Sequence, residues 1–275
     1  MNRPFERILL ATEHTEFDVG AERVAFELVR RDNLLLNAVL PVLSNPEYEA
    51  VAPQLAAKGE RDAAERLAAL RIAAQRAGVR LDIRARRGEE LYREILNEAK
   101  ERGADLIVTR RRGKRGFLAN LLVGEMVSKV AAHASCSVLM VPRAGQMWSR
   151  IVLAAVDESS GADRVTSVAA AVAVQYSLPL VVVCVAAGDL PNLRQRAVEA
   201  VDQAVDRARK LGASSRGRVL TGKPFEGILQ AASAEGADLI VVGGRGDTTI
   251  KRALLGGTAQ KVIGLAEVPV LVAHC

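Results

Sequence analysis

The heptapeptide Gly103-Ala-Asp-Leu-Ile-Val-Thr109 returns almost unchanged as Gly236-Ala-Asp-Leu-Ile-Val-Val242, an offset of 133 residues (103 to 236). The recurrence is not isolated. Each copy is preceded by a Gly-led helical segment, starting at Gly88 and at Gly222. Each is followed by a Gly- and Arg-containing stretch, an amphipathic helix and a closing apolar run: CSVLMVPR (136–143) and VPVLVAHC (268–275). The openings match as well, RILLATE (7–13) against RIVLAAVD (150–157). Four matching blocks in one order make the chain two copies of one unit, here divided as 1–147 and 148–275. Within a copy, short apolar runs alternate with helical segments. In the second copy the runs are 151–156, 180–185, 218–220, 239–242 and 268–273. That alternation predicts an α/β fold, a five-stranded parallel, doubly wound (Rossmann-like) sheet with helices on both faces. Composition agrees: 49% hydrophobic but only 3% aromatic, so the apolar content is chiefly Ala, Val, Leu and Ile, which suits strands buried on both sides. Helices are expected over 58–77 and 89–102, where Leu91, Ile95, Leu96 and Ala99 share a face and Gly103 ends the turn. The first copy is longer by an insertion at 43–57, where Asn45-Pro46 and Pro53 predict a surface loop or lid.

The net charge of +6 is spread over both copies, with 24 basic against 20 acidic residues in 1–147 and 14 against 12 in 148–275. No strongly basic module stands out, and few aromatics are available for base stacking, so the balance argues against a nucleic-acid partner. Cys136, Cys184 and Cys275 show no CxxC spacing, and Cys136 and Cys184 lie beside or within apolar runs. Buried, inert thiols in a reducing cytoplasm are expected. No uncharged stretch reaches the roughly 18–20 residues needed to span a bilayer. His14, His133 and His274 have no triad or metal-cluster context, so no catalytic or metal-ligating residue is assigned.

In a doubly wound sheet, ligands bind at the carboxyl ends of strands where the winding reverses. The second copy puts Asp157 at the end of its first strand, Val185 at the end of its second, and Gly243-Gly-Arg-Gly246 after its fourth. Gly256, Gly257 and Thr258 then open a helix. Glycines let the backbone approach a phosphate, helix N-terminal N–H groups point at it, Arg245 adds a cation and Thr258 a hydroxyl. Asp157 could accept hydrogen bonds from a ribose or base edge. A Gly cluster after a strand is by itself more often a turn, and the Gly-Lys-Ser/Thr ending of a Walker A loop is absent. The first copy differs at the matching places. It has Glu13 for Asp157, Arg110 for Gly243 and Glu125 after Gly124, with ten rather than nine residues between Gly113 and Gly124. Its loop reads Arg110-Arg-Arg-Gly-Lys-Arg-Gly116, either a solvated basic loop or one that binds a phosphate, an acidic partner or RNA.

The arrangement G-x-x-G, nine residues, then Gly with a small polar residue resembles the ATP-binding signature of the universal stress protein family. DLIVVGGRG, LLGGTAQKV and VPVLVAHC resemble its fourth strand, phosphate loop and fifth strand. The resemblance covers both copies nearly end to end. It implies ATP as ligand, with or without magnesium. Asp157 and Val185 would touch adenine or ribose, and Gly243, Gly246, Gly256, Gly257 and Thr258 would line the phosphates. The family usually has Ser or Thr where this chain has Gly257, so Thr258 comes one residue late. The resemblance also implies an internal pseudo-dimer through the closing strands, 138–141 beside 270–273, with a homodimer left open. The function expected is a cytoplasmic, nucleotide-binding regulator of the stress response. The alternatives are a scaffold independent of nucleotide and a slow ATPase. The Ser-Gly-Gly-x-Asp-Ser loop of related adenylylating folds is absent, since the chain reads Val-Asp-Glu-Ser-Ser-Gly there.

Overall fold

A computed structural model describes residues 3–111, 124–244 and 255–274. In the first repeat the strands are β1 (Ile8–Ala11), β2 (Leu36–Leu43), β3 (Leu81–Gly88), β4 (Leu106–Arg110) and β5 (Ser137–Val141). Its helices are α1 (Val19–Asp32), α2 (Pro46–Val51), α3 (Pro53–Arg76), α4 (Leu91–Glu101) and α5 (Glu125–His133). In the second repeat the strands are β6 (Val152–Ala155), β7 (Leu180–Ala186), β8 (Ser215–Thr221), β9 (Leu239–Gly243) and β10 (Val270–Ala273). Its helices are α6 (Ala162–Gln175), α7 (Pro191–Lys210), α8 (Pro224–Glu235) and α9 (Gly257–Leu265).

The strands form one ten-stranded sheet in the order β3-β2-β1-β4-β5-β10-β9-β6-β7-β8. Each half is parallel, and the halves meet antiparallel at β5 and β10, with Val138 opposite Val272, Leu139 opposite Leu271 and Met140 opposite Val270. The expected pairing of the closing strands is therefore present. It removes two apolar edges that would otherwise be open to another chain. Alternate residues along a strand feed opposite faces. Ile8 and Leu10 belong to one core cluster, Leu9 and Ala11 to the other. Both faces are covered by helices, so the near-continuous apolar runs of the sequence are what this sheet requires.

The Asp of the repeated heptapeptide has the same task in both halves. Asp105 accepts the backbone N–H groups of Glu6 and Arg7, and Asp238 those of Ser149, Arg150 and Ile151. Each carboxylate thus fixes the start of one central strand against its neighbour. The insertion departs from expectation. Instead of a loop at 43–57, Pro46 opens α2 and Pro53 occupies the first turn of a 24-residue α3. Proline's fixed φ and missing N–H are tolerated at a helix start, so the two prolines begin helices here rather than breaking them. β8 is likewise longer than the apolar run 218–220, because edge residues Arg216 and Gly217 pair with β7 while their side positions stay exposed.

Candidate functional site

The winding of each half reverses at its first strand. In the second repeat β6 lies between β7 and β9, and Ala155 is in register with Val183 on one side and Val242 on the other. Asp157 and Gly243 therefore leave adjacent strands at the same edge of the sheet, the location where α/β folds hold ligands. Asp157 is exposed, and its Oδ1 accepts the Ser159 N–H at 3.1 Å, a turn that orients the carboxylate. Val185 is half-buried near the end of β7. It packs against α8, where a Cβ on Gly227 would come within 2.8 Å of a Val185 methyl.

Gly256 is the N-cap of α9, with φ −60 and ψ 144 and no side-chain cap. The first intrahelical bond runs from Gln260 N–H to the Gly256 carbonyl at 2.9 Å. The N–H groups of Gly257, Thr258 and Ala259 thus have no intrahelical acceptor. The Gly256 N–H donates to the Gly244 carbonyl at 2.9 Å, tying this helix start to the end of β9. Gly257 and Thr258 are exposed, and nothing lies within 4 Å of a Cβ placed on Gly257. An uncapped helix N-terminus joined to a strand end at the switch point suits an anion, and the donor set fits a phosphate. Arg245 and Gly246 lie outside the described residues.

The matching place in the first repeat is filled. Arg110, at the position of Gly243, is 4% exposed. Its guanidinium donates to Glu13 Oε1 at 2.7 Å and to Asp18 Oδ2 at 2.9 Å. Asp18 also accepts the Thr15 N–H at 2.9 Å and the Thr15 hydroxyl at 2.6 Å. Beside it, Glu22 accepts the Thr12 hydroxyl at 2.7 Å and contacts His14 Nδ1 at 2.9 Å. The space among Glu13, Asp18, Thr109 and Arg110 is closed by these side chains. Glu125 opens α5 where Gly257 opens α9, and it pairs with Lys129 at 2.9 Å. Glu13, Asp18 and Glu22 therefore crowd the first switch point around the Arg110 cation, and Glu125 adds a fourth carboxylate at the helix start.

Of the Arg-rich loop, the two described residues, Arg110 and Arg111, are both engaged by the protein itself. Arg110 is buried in its own repeat, and Arg111 donates to backbone carbonyls of the other. Arg112 to Gly116 lie outside the described residues, so what that part of the loop binds stays an expectation. Asp18 and Thr15 were not recoverable from sequence, because their partner is 92 positions away for Asp18 and 95 for Thr15. Cys136 and Cys184 are buried, and burial pushes both thiols up to about 11. Cys275 lies outside the described residues. His133 contacts the Lys129 carbonyl and His14 contacts Glu22, both local structural bonds. Among the described residues there is no His, Cys, Asp and Glu cluster able to hold a metal, and no helix long and apolar enough to cross a membrane.

The universal stress protein family model matches the chain twice, over residues 4–142 and 149–274. A curated Thermus aquaticus relative, "Universal stress protein in QAH/OAS sulfhydrylase 3'region", is 36% identical over 133 residues, 44% of this chain and 96% of that protein. A universal stress protein structure from Archaeoglobus fulgidus DSM 4304 superposes with a TM-score of 0.70 at 19% identity, covering 99% of this chain and 97% of the other. One described as a putative universal stress protein, from Pseudomonas aeruginosa UCBPP-PA14, gives 0.65 at 20% identity, covering 98% and 93%. These two carry the fold over both halves, and the sequence matches carry the family: the chain belongs to the universal stress protein family, with two repeats in tandem.

Proposed function

We propose that this chain is an ATP-binding regulator of the stress response, holding one adenine nucleotide per chain in its second repeat. The observation that carries the reading is the contrast between the two switch points. One presents backbone glycines and an uncapped helix N-terminus, and the other is closed by Arg110 against Glu13 and Asp18. Phosphates would sit on the N–H groups of Gly257, Thr258 and Ala259, beside Gly243 and Gly256, with Arg245 and Gly246 of the intervening sequence contributing to the same site. Asp157 would accept hydrogen bonds from the ribose or base, and Val185 would bound the adenine. Magnesium, when bound, neutralises phosphate charge. The boundary between repeats is placed at 147–148 and the chain in the cytoplasm. No residue is assigned to catalysis, and occupancy is taken to act by altering shape or partner surface. Equilibrium titration with ATP, with and without magnesium, on wild-type and Asp157→Ala protein tests the reading. A folded Asp157→Ala variant of unchanged affinity would remove Asp157 from the site. A wild-type protein that binds no ATP would favour a nucleotide-independent scaffold.

A further inference from the structure

Arg111 follows the buried Arg110 in the first repeat, yet it serves the second. Its N–H donates to the Val141 carbonyl at 2.8 Å, which fixes the backbone at the end of β4. Its guanidinium then crosses the junction between repeats. The two N–H groups of its Nη1 are shared among the carbonyls of Ile263 (3.1 Å), Gly264 (3.0 Å) and Ala266. These are carbonyls of the last turn and C-cap of α9, groups that a helix end leaves without intrahelical donors. A cation at this end also complements the helix dipole. The contact is one-sided. The offset of 133 residues that relates the repeats places Gly244 where Arg111 stands, and glycine has no side chain to return the contact to α5. A Cβ there would already lie 3.3 Å from Val272 and His274 side-chain atoms.

We infer that Arg111 is a positioning residue for the nucleotide site of the second repeat: it anchors the C-terminal end of α9, whose N-terminal end carries the phosphate-facing N–H groups. The inference rests on the nucleotide reading above. Nine residues make α9 about 13.5 Å long, so a tilt of about 5° around its far end moves the phosphate-facing groups by about 1 Å. Hydrogen bonds to phosphate weaken over such a displacement. Among the described residues one backbone bond ties the N-terminal end to Gly244, and Ala259, Val262 and Ile263 are buried beneath the helix, so the C-terminal anchor adds to an orientation that packing begins. Coupling follows from the same geometry, because a change at the end of β4 in the first repeat reaches the phosphate helix of the second through the Arg111 side chain.

The test uses the full chain with Arg111→Met, which keeps length and removes the donors, and Arg111→Lys, which keeps a charge. Binding of ATP and of adenosine is measured by calorimetry, and amide hydrogen exchange over 257–265 is followed without nucleotide. Arg111→Met should weaken ATP about tenfold, leave adenosine unchanged and speed exchange in the last turn of α9. Arg111→Lys should recover a large part of the ATP affinity. Equal weakening of ATP and adenosine would overturn the inference, since a general structural defect does not discriminate by phosphate. Unchanged ATP affinity, or exchange that does not respond, would overturn it too. Wild-type protein without ATP binding overturns it through the reading on which it rests, and faster exchange in Arg111→Met would then assign the failure to that reading and not to the anchor.

Discussion

Arg110→Met tests whether the first switch point is closed by a buried charge cluster. Arg110 is 4% exposed and Asp18 is 1% exposed, at 2.9 Å, while Glu13 at 2.7 Å keeps 27% of its side chain in contact with solvent. At an effective dielectric near 20, a unit pair at this separation attracts by roughly 6 kcal/mol, most of it offset by the cost of drying both ions. Removing one partner is different, because it leaves the other charge buried and uncompensated, which typically costs about 3–5 kcal/mol. Two hydrogen bonds from Thr15 still serve Asp18, and Glu13 can turn to water, so the expected loss is about 3 kcal/mol. Asp18→Asn in the Arg110→Met background removes the stranded charge and should recover about 2 kcal/mol, a coupling within the range of contacting residues. Urea denaturation of wild type, both single variants and the double variant measures the cycle. A loss below about 1 kcal/mol for Arg110→Met, or effects that simply add, would refute a closed ionic plug.

Gly257→Ser should tighten ATP several-fold, because a Cβ there meets nothing within 4 Å and the new hydroxyl stands where the family pattern usually has one. A net hydrogen bond of about 1 kcal/mol corresponds to roughly fivefold; a calorimetric Kd equal to wild type would count against phosphate lying at this helix start. Glu235, between Arg216 and Arg218, has its carboxyl held down to about 2 by their hydrogen bonds. Its folded value lies below its unfolded value near 4.5, so its contribution is complete above pH 4.5 and is lost as pH falls toward 2. Glu235→Gln should flatten that part of the stability profile, and parallel acid-denaturation curves would contradict the assignment.

The parts of this molecule legible in its sequence are those carried by local pattern. The repeated heptapeptide, the apolar runs and the closing segments 136–143 and 268–275 point to the strands and the parallel halves, and the family resemblance points to the pairing of the closing strands. Prolines were misread where one position decides their effect: Pro46 and Pro53 begin helices because each stands in a first turn. What stayed hidden depends on distant partners. Arg110 reads as the residue that replaces Gly243 in a basic loop, but its burial is set with Asp18, 92 residues earlier. Arg111 reads as one of a basic run, and only the junction of repeats brings it to carbonyls 152 to 155 residues away. The proposed second-repeat site is legible because a nucleotide loop would use backbone, and glycine is the residue type that exposes it.

One working nucleotide site in the second repeat sets the stoichiometry of ATP binding to the intact chain, measured beside Gly256→Glu and Glu125→Ser. Gly256→Glu puts a carboxylate at the helix start that would receive phosphate, and each such charge also opposes a favourable end effect of roughly 0.3–1 kcal/mol. Glu125→Ser removes the carboxylate from the first helix start but leaves Arg110, Glu13 and Asp18 in place. One ATP per chain is expected in wild type and in Glu125→Ser, with loss of binding in Gly256→Glu. Two equivalent sites in wild type, or a single site that survives Gly256→Glu, would contradict it.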